Sequence, residues 1–295
     1  EGEGVKIYDC FTFNNDLDLL ELRLMELGEY VDWFVLCEMG HNFMQQPKAL
    51  NFRHNQARFE RWLPRIRHVV PSHYPIEPHP AMEVYQRRCL ARGFNDAKVD
   101  DVIVLGDVDE IPSREVLRST RGTPPQHPFT CVQRLYYYYV NCQQLYPWRG
   151  TVIAPRGCLG EDPDCQKLRD SRHVFPRLWK AGWHFSWLGP EQAIQEKLDS
   201  IDVEADARIY ETKGIRKPSS SDRAFIRHCL ETGADLFGRD DPYAAKTFVP
   251  LDPGTRQPYA TLEWLGKYPQ YFKETAMEQV SLDQMHNPGG PGTAA

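Results

Sequence analysis

The chain has 295 residues, 41% of them hydrophobic and 12% aromatic, enough to bury a sizeable core as one large domain or two smaller ones. Its net charge of −6 disfavours a nucleic-acid backbone as partner, although basic residues cluster at 53–67, at Arg87-Arg88 and at 208–223 as local anion sites. No apolar run reaches membrane-spanning length and Glu1-Gly2-Glu3-Gly4 carries no signal peptide; that start resembles a trimmed chain, which leaves room for an anchor or signal removed upstream.

Residues 5–13 alternate and then turn apolar, predicting a first strand. Asn14-Asn15-Asp16 caps a helix whose Leu17, Leu20, Leu24 and Leu27 keep helical spacing, with Gly28 as its stop. Residues 31–37 read as a second buried strand closing at Glu38. This β-α-β opening brings the C-terminal ends of both strands to one crevice. Glu38 is there a candidate partner of a ribose or base; a strand-end acid paired with a neighbouring arginine fits equally well. A short helix over 55–63, a third strand over 65–70 and a His/Pro-rich loop over 71–80 follow. Next comes a helix over 81–94 carrying Tyr85, Arg87 and Arg88. An arginine there suits a diphosphate, because a guanidinium matches phosphate oxygens; a solvated helix face accounts for at least one of the two.

The run Val102-Ile103-Val104-Leu105 has three β-branched residues and predicts a short strand buried on both faces, as in a parallel sheet. Its end delivers Asp107, Asp109 and Glu110 to the edge where open α/β sheets bind ligands. Three such acids repel one another without a cation or positive partner, so a D-x-D metal site holding a nucleotide diphosphate is one reading. A plain helix N-cap is the other, since Ser113-Arg114-Glu115-Val116 starts a helix. An aspartyl-phosphate phosphatase also begins with D-x-D, but near its N-terminus and followed by a small hydroxyl residue, where this chain has Ile111.

Residues 129–140 predict a long strand, and alternation sends two of Tyr136, Tyr137, Tyr138 and Tyr139 to each side, one pair suited to walling a sugar ring, while core packing accounts for at least two of the four. Residues 151–154 are a further strand. The loop at 157–170 holds Cys158 and Cys165, which a small-loop disulfide fits; Cys131 and Cys142 flank the aromatic strand and fit a hairpin bridge. Cys10, Cys37 and Cys89 read as buried small hydrophobes. At least one disulfide and a secretory-lumen origin are expected. No C-x-x-C pair suggests zinc and no N-x-S/T sequon occurs. Trp183-His184-Phe185-Ser186-Trp187 is a strand whose His184 is either a satisfied core residue or a ligand. Gly189-Pro190 then opens a helix over 191–200, and another spans 222–232 with Gly233 as its stop. Residues 287–295 are expected to be disordered.

Ile7-Tyr8-Asp9-Cys10-Phe11-Thr12-Phe13-Asn14 with Asp18-Leu19-Leu20-Glu21-Leu22-Arg23, the Val31 to Glu38 strand, Asp107-Val108-Asp109-Glu110-Ile111-Pro112 and Ala181-Gly182-Trp183-His184-Phe185-Ser186-Trp187 with Pro190-Glu191 resemble glycosyltransferase family 17. The likeness runs in order from about residue 5 to residue 240. It implies an α/β GT-A fold with a Rossmann-like, mostly parallel central sheet flanked by helices. One catalytic domain would span 5–282, with a nucleotide-binding half at 5–120, an acceptor half at 121–282 and a disordered tail at 283–295. It further implies inverting transfer of GlcNAc from UDP-GlcNAc to a mannose-containing glycan, as on the N-glycan core in the best-known member. A divalent cation, usually Mn2+, would be held by Asp107, Asp109 and His184. Arg87, Glu38, Tyr85 and Asp107 would face the nucleotide-sugar, and Glu191 or Glu110 would be the base. The setting implied is the Golgi or secretory-pathway lumen, or the cytoplasm in a bacterium, with no membrane contact by this stretch. The segment from Cys142 to Arg172 departs from the family pattern, which leaves acceptor and donor sugar open. A different sugar or acceptor, an inactive glycan-binding relative and a D-x-D phosphohydrolase remain as alternatives.

Overall fold

A computed structural model describes residues 4–75, 81–200, 219, 221–239 and 244–274. The tail expected at 283–295 lies outside the described residues. The elements run β1 (Ile7–Phe13), α1 (Leu17–Leu27), β2 (Trp33–Glu38), α2 (Asn51–His54), β3 (Ile66–Val69), α3 (Ala81–Cys89), β4 (Val102–Asp107), β5 (Glu110–Pro112) and α4 (Arg114–Gly122). They continue with β6 (Phe129–Tyr137), β7 (Cys142–Gln144), β8 (Trp148–Pro155), α5 (Cys165–Asp170), β9 (Arg177–Ser186), α6 (Glu191–Ser200), α7 (Arg223–Thr232), β10 (Lys246–Phe248) and α8 (Thr261–Lys267).

One ten-stranded sheet runs β10-β7-β6-β8-β4-β1-β2-β3, with β9 joined to both β5 and β6. The strands β3, β2, β1 and β4 are parallel; the rest is mixed, β9 lying parallel to β6 and antiparallel to β5. The chain steps outward from β1 through β2 to β3 and then returns to β4 on the other side of β1. That reversal opens a crevice beyond the ends of β1 and β4, the place where such sheets bind ligands.

Alternation along each strand decides what faces where. Ile7, Phe11, Phe13, Phe34, Leu36, Val102 and Val104 face the layer of α1, α4 and α8, in a core with Leu20, Leu24, Leu27, Leu117 and Trp264. Tyr8, Cys10, Val35, Cys37, Ile103 and Leu105 face α3 and α5, with Cys89, Leu90, Cys165 and Leu168. A third cluster packs α6 and α7 on Tyr137 and Tyr138 through Ile194, Leu198, Ile226 and Leu230.

Several sequence expectations change. The helix expected over 55–63 is replaced by α2, which ends at His54, and a 3-10 turn, Gln56–Phe59. The helix expected over 81–94 gives way at Cys89 to a 3-10 turn, Leu90–Gly93. The tyrosine run does not alternate through four residues, because Tyr138 takes φ +64 and ends the strand. Tyr136 and Tyr138 are fully buried, and Tyr138 Oη donates to the Ala234 carbonyl (2.8 Å), so these two are core, as the packing reading of at least two tyrosines expects. All eight cysteines are free thiols. Cys158 is exposed while Cys165 lies in the α3/α5 core, and Cys131 and Cys142 sit in different clusters; neither expected bridge is formed. Among the described residues, no helix is long and apolar enough to cross a membrane.

Candidate active site

The site grows out of strand parity. Asp107 continues the face of Ile103 and Leu105, so its carboxylate points to α3 and α5, and the register sets it beside Thr12 of β1. One oxygen accepts from Thr12 Oγ1 (2.8 Å) and Arg87 Nη2 (2.8 Å); the other meets Arg169 Nη2 (3.1 Å). Burial works against the ionised Asp107, yet Arg87 and Arg169 outweigh it and hold the carboxyl far below the usual range. Arg169 also forks onto Glu110 at 2.6 and 2.5 Å, and Trp148 Nε1 donates to the same carboxylate (2.6 Å). Glu110 folds back under β4 because residue 106 is glycine: a Cβ there would come within 3.0 Å of its carboxylate and 2.9 Å of Thr151 Oγ1.

Asp109 points the other way, towards β9 and α6. Its Oδ2 lies 3.6 Å from His184 Nε2 and 3.6 Å from Lys197 Nζ. Burial raises this carboxyl's pKa, but His184 and Lys197 bring it below the ordinary value. His184 is placed by β9, where it pairs with Glu110 of β5 and Leu135 of β6, and its Nδ1 is buried without a hydrogen-bond partner. Gly182 (φ +137) lets β9 come this close; a Cβ would lie 2.2 Å from the Ile111 carbonyl. Lys197 reaches from α6 into a cavity of about 190 Å3 also lined by Asp16, Asp18, Arg58, Trp187 and Tyr271.

Three acids, a histidine, two arginines and a lysine thus gather at the switch point. The model of glycosyltransferase family 17 matches residues 2–238. The chain belongs to glycosyltransferase family 17. It is 26% identical over 307 aligned positions to the beta-1,4-mannosyl-glycoprotein 4-beta-N-acetylglucosaminyltransferase of Rattus norvegicus and 25% identical to that of Homo sapiens. Each alignment covers 90% of this chain and 54% of the relative, so the chain spans about half the length of the curated relatives it matches. Among solved structures it is similar to a 4-diphosphocytidyl-2C-methyl-D-erythritol synthase, 11% identical with a TM-score of 0.38, over 61% of this chain and 90% of that one.

Within this family 17 chain, Asp107, Asp109, Glu110, Arg87 and His184 come together, as the sequence places them. Three other candidates do not join them. Glu38 is fully buried and committed, accepting from the Phe52 amide (3.0 Å) and facing His68 Nε2 at 3.0 Å; it ties β2 to α2 and β3. Tyr85 lies two residues from Arg87, on another side of α3, with its hydroxyl towards Arg92 (3.5 Å). Glu191 begins α6 as expected, but Lys197 is the α6 residue that meets Asp109, and six residues of helix separate the two by about 9 Å. Its carboxylate pairs with Arg223 (2.5 Å) and Arg227 (3.2 Å) of α7.

Arg169, Arg23, Trp148 and Lys197 belong to the site and were not singled out from sequence. Arg169 sits on α5, inside the segment read as a cysteine loop. The readable signal was Asp164, whose carboxylate caps the amides of Gln166 (2.9 Å) and Lys167 (3.0 Å).

Proposed function

We propose that this chain is an inverting, cation-dependent glycosyltransferase moving GlcNAc from UDP-GlcNAc to a mannose-containing glycan. The observation that carries the reading is the Asp107 to Glu110 turn at the switch point, flanked by Arg87, Arg169 and Lys197. The sugar and its acceptor follow from the relatives' printed names.

Among the described residues, no three His, Cys, Asp or Glu side chains converge as a cation cage. A divalent ion that arrives with a diphosphate needs only one or two protein carboxylates, the rest of its shell being phosphate oxygens and water. Asp109 with His184 meets that smaller demand: they face each other at 3.6 Å, and the buried His184 Nδ1 makes no hydrogen bond. Asp107 fits less well, since three donors already occupy it. The reading therefore gives Asp109 and His184 to the cation and gives Asp107 the task of orienting Arg87 and Arg169. Bound there, Mn2+ would supply charge that stabilises UDP as it departs.

Arg87, Arg169 and Lys197 add fixed positive charge around the same oxygens, in a crevice where partial burial strengthens it. Inversion in one displacement also needs a carboxylate to take the acceptor's proton. Glu110 is held by Arg169 and Trp148, and Glu191 by Arg223 and Arg227. Asp16 is the better assignment: it lines the 190 Å3 cavity, and it makes no side-chain capping bond to α1. Burial raises its pKa, the direction a base working near neutral pH requires.

Titration calorimetry of UDP-GlcNAc, UDP-GalNAc and UDP-glucose, each with and without Mn2+, tests the reading. Binding of UDP-GlcNAc that strengthens at least tenfold with Mn2+ is expected. A chain that binds none of the three with Mn2+ present is not such a transferase.

A further inference from the structure

We propose that Arg23, held by Asp9, is the positioning residue that fixes the main chain of the Asp107 to Glu110 turn, and with it the divergent aim of Asp107 and Asp109. This rests on the transferase reading for its consequences, though its geometry stands apart from it. Both side chains are completely buried between β1 and α1. A buried ion pair is a poor device for stability alone, because well-packed apolar residues of similar volume serve as well or better. What the pair supplies is direction. Arg23 Nε and Nη2 fork onto Asp9 at 2.7 and 2.6 Å, and the guanidinium lies over the Phe11 ring at 4.5 Å. Its plane is thereby set, and Nη1 is aimed at three carbonyls of the turn: Asp107 (3.0 Å), Val108 (3.3 Å) and Glu110 (2.8 Å).

Those carbonyls belong to the peptide planes that send one acid towards α3 and α5 and the next towards β9. The rest of the turn is held from other sides. Val108 N donates to the Thr12 carbonyl (3.3 Å), Phe185 N donates to the Asp109 carbonyl (2.9 Å), and Thr151 Oγ1 donates to the Glu110 carbonyl (3.0 Å). Arg87 and Arg169 hold the side chains; Arg23 holds the backbone. A lysine could keep the charge opposite Asp9 but has no second arm fixed in plane for the carbonyls. Arg23 touches no substrate-facing atom, so its effect reaches the reaction only through the turn.

The test compares wild type with Arg23→Lys and with the double variant Arg23→Met/Asp9→Leu, which removes the pair without stranding a charge. Three quantities are read: the thermal midpoint, hydrogen exchange of the amides at 107–111, and UDP affinity with and without Mn2+. Faster exchange at 107–111 is expected in both variants while they are fully folded. Mn2+-dependent UDP affinity should fall about tenfold in Arg23→Lys, and transfer about 100-fold in the double variant, the scale of a 1 Å misplacement. A purely structural role predicts a lowered midpoint but wild-type exchange and affinity in the folded variants, and that result overturns the proposal. Should the double variant not fold, wild-type exchange at the turn in Arg23→Lys overturns it alone. If wild type itself binds no UDP, the transferase reading fails, while the exchange data still decide what Arg23 does.

Discussion

Replacing Arg169 with methionine is the sharpest probe of how the site is held. Arg169 is 6% exposed and its partner Glu110 1%, with contacts of 2.6 and 2.5 Å between them. Methionine keeps most of the side-chain volume and removes the charge. Glu110 would then be a buried carboxylate with only Trp148 Nε1 (2.6 Å) and the long Asp107 amide contact (3.3 Å) as donors. Breaking a buried pair from one side costs about 3–5 kcal/mol, chiefly for the charge left behind. Asp107 would also lose one of its two arginines. The double variant Arg169→Met/Glu110→Met strands no charge, and its stability should return to within about 1 kcal/mol of wild type, since apolar replacement of a buried pair is often neutral. Urea unfolding followed by tryptophan fluorescence measures all four corners of the cycle, with a coupling of at least about 2 kcal/mol expected. A loss below about 1 kcal/mol in Arg169→Met would refute the reasoning, because Glu110 would then have found water or another donor.

Three further outcomes follow from the same geometry. Glu191→Gln should change transfer by less than about twofold and leave the thermal midpoint nearly unchanged, as expected for a carboxylate engaged in a solvent-exposed ion pair; a large loss of kcat with an intact fold would restore it as the base. The Asp107 carboxyl is depressed in the folded chain, so its stabilising contribution is complete above the ordinary value of 3.8 and is lost as pH falls below it. Wild type should therefore lose stability between about pH 4 and 2 more steeply than Asp107→Asn; parallel acid profiles would contradict this. Asp16 has the opposite sign: its pKa is raised, so the folded chain favours the acid form and loses stability as pH rises through the raised value. Asp16→Asn should thus melt about 2 °C higher than wild type at pH 8, with the gap closing towards pH 3, and lose about 100-fold in kcat. An unchanged kcat would remove Asp16 from the chemistry.

What the sequence disclosed depended on periodicity. The β-α-β opening, the buried strand ending in Asp107, the strand carrying His184 and the helix beginning at Glu191 all lie where alternation, caps and glycines put them. Parity along β4 sets Asp107 on the face of Ile103 and Leu105, but alternation would send Asp109 to that same side; only the turn after the strand aims it at β9. Partners were harder to read. Arg169 lies 59 positions from Glu110 and Arg23 lies 84 from Asp107, and no local pattern links residues so far apart. A carboxylate at a strand end looks equally available in sequence whether it is open to a ligand, as Asp16 is to its cavity, or closed by a histidine and an amide, as Glu38 is. Two cysteines seven apart suggested a small-loop bridge, but Asp164 starts a helix that carries Cys165 into the core and leaves Cys158 outside. The tyrosine run misled for a related reason: its alternation holds only until Tyr138 takes a left-handed conformation.

The central claim is that Asp109, with His184, gives this family 17 chain its cation-dependent grip on a nucleotide-sugar. Calorimetric titration of UDP-GlcNAc into wild type and Asp109→Ala, each with Mn2+ and with EDTA, measures it directly. The account predicts Mn2+-strengthened binding in wild type, and in Asp109→Ala a weak binding that Mn2+ does not improve. Equal, Mn2+-responsive affinity in the two proteins would contradict it.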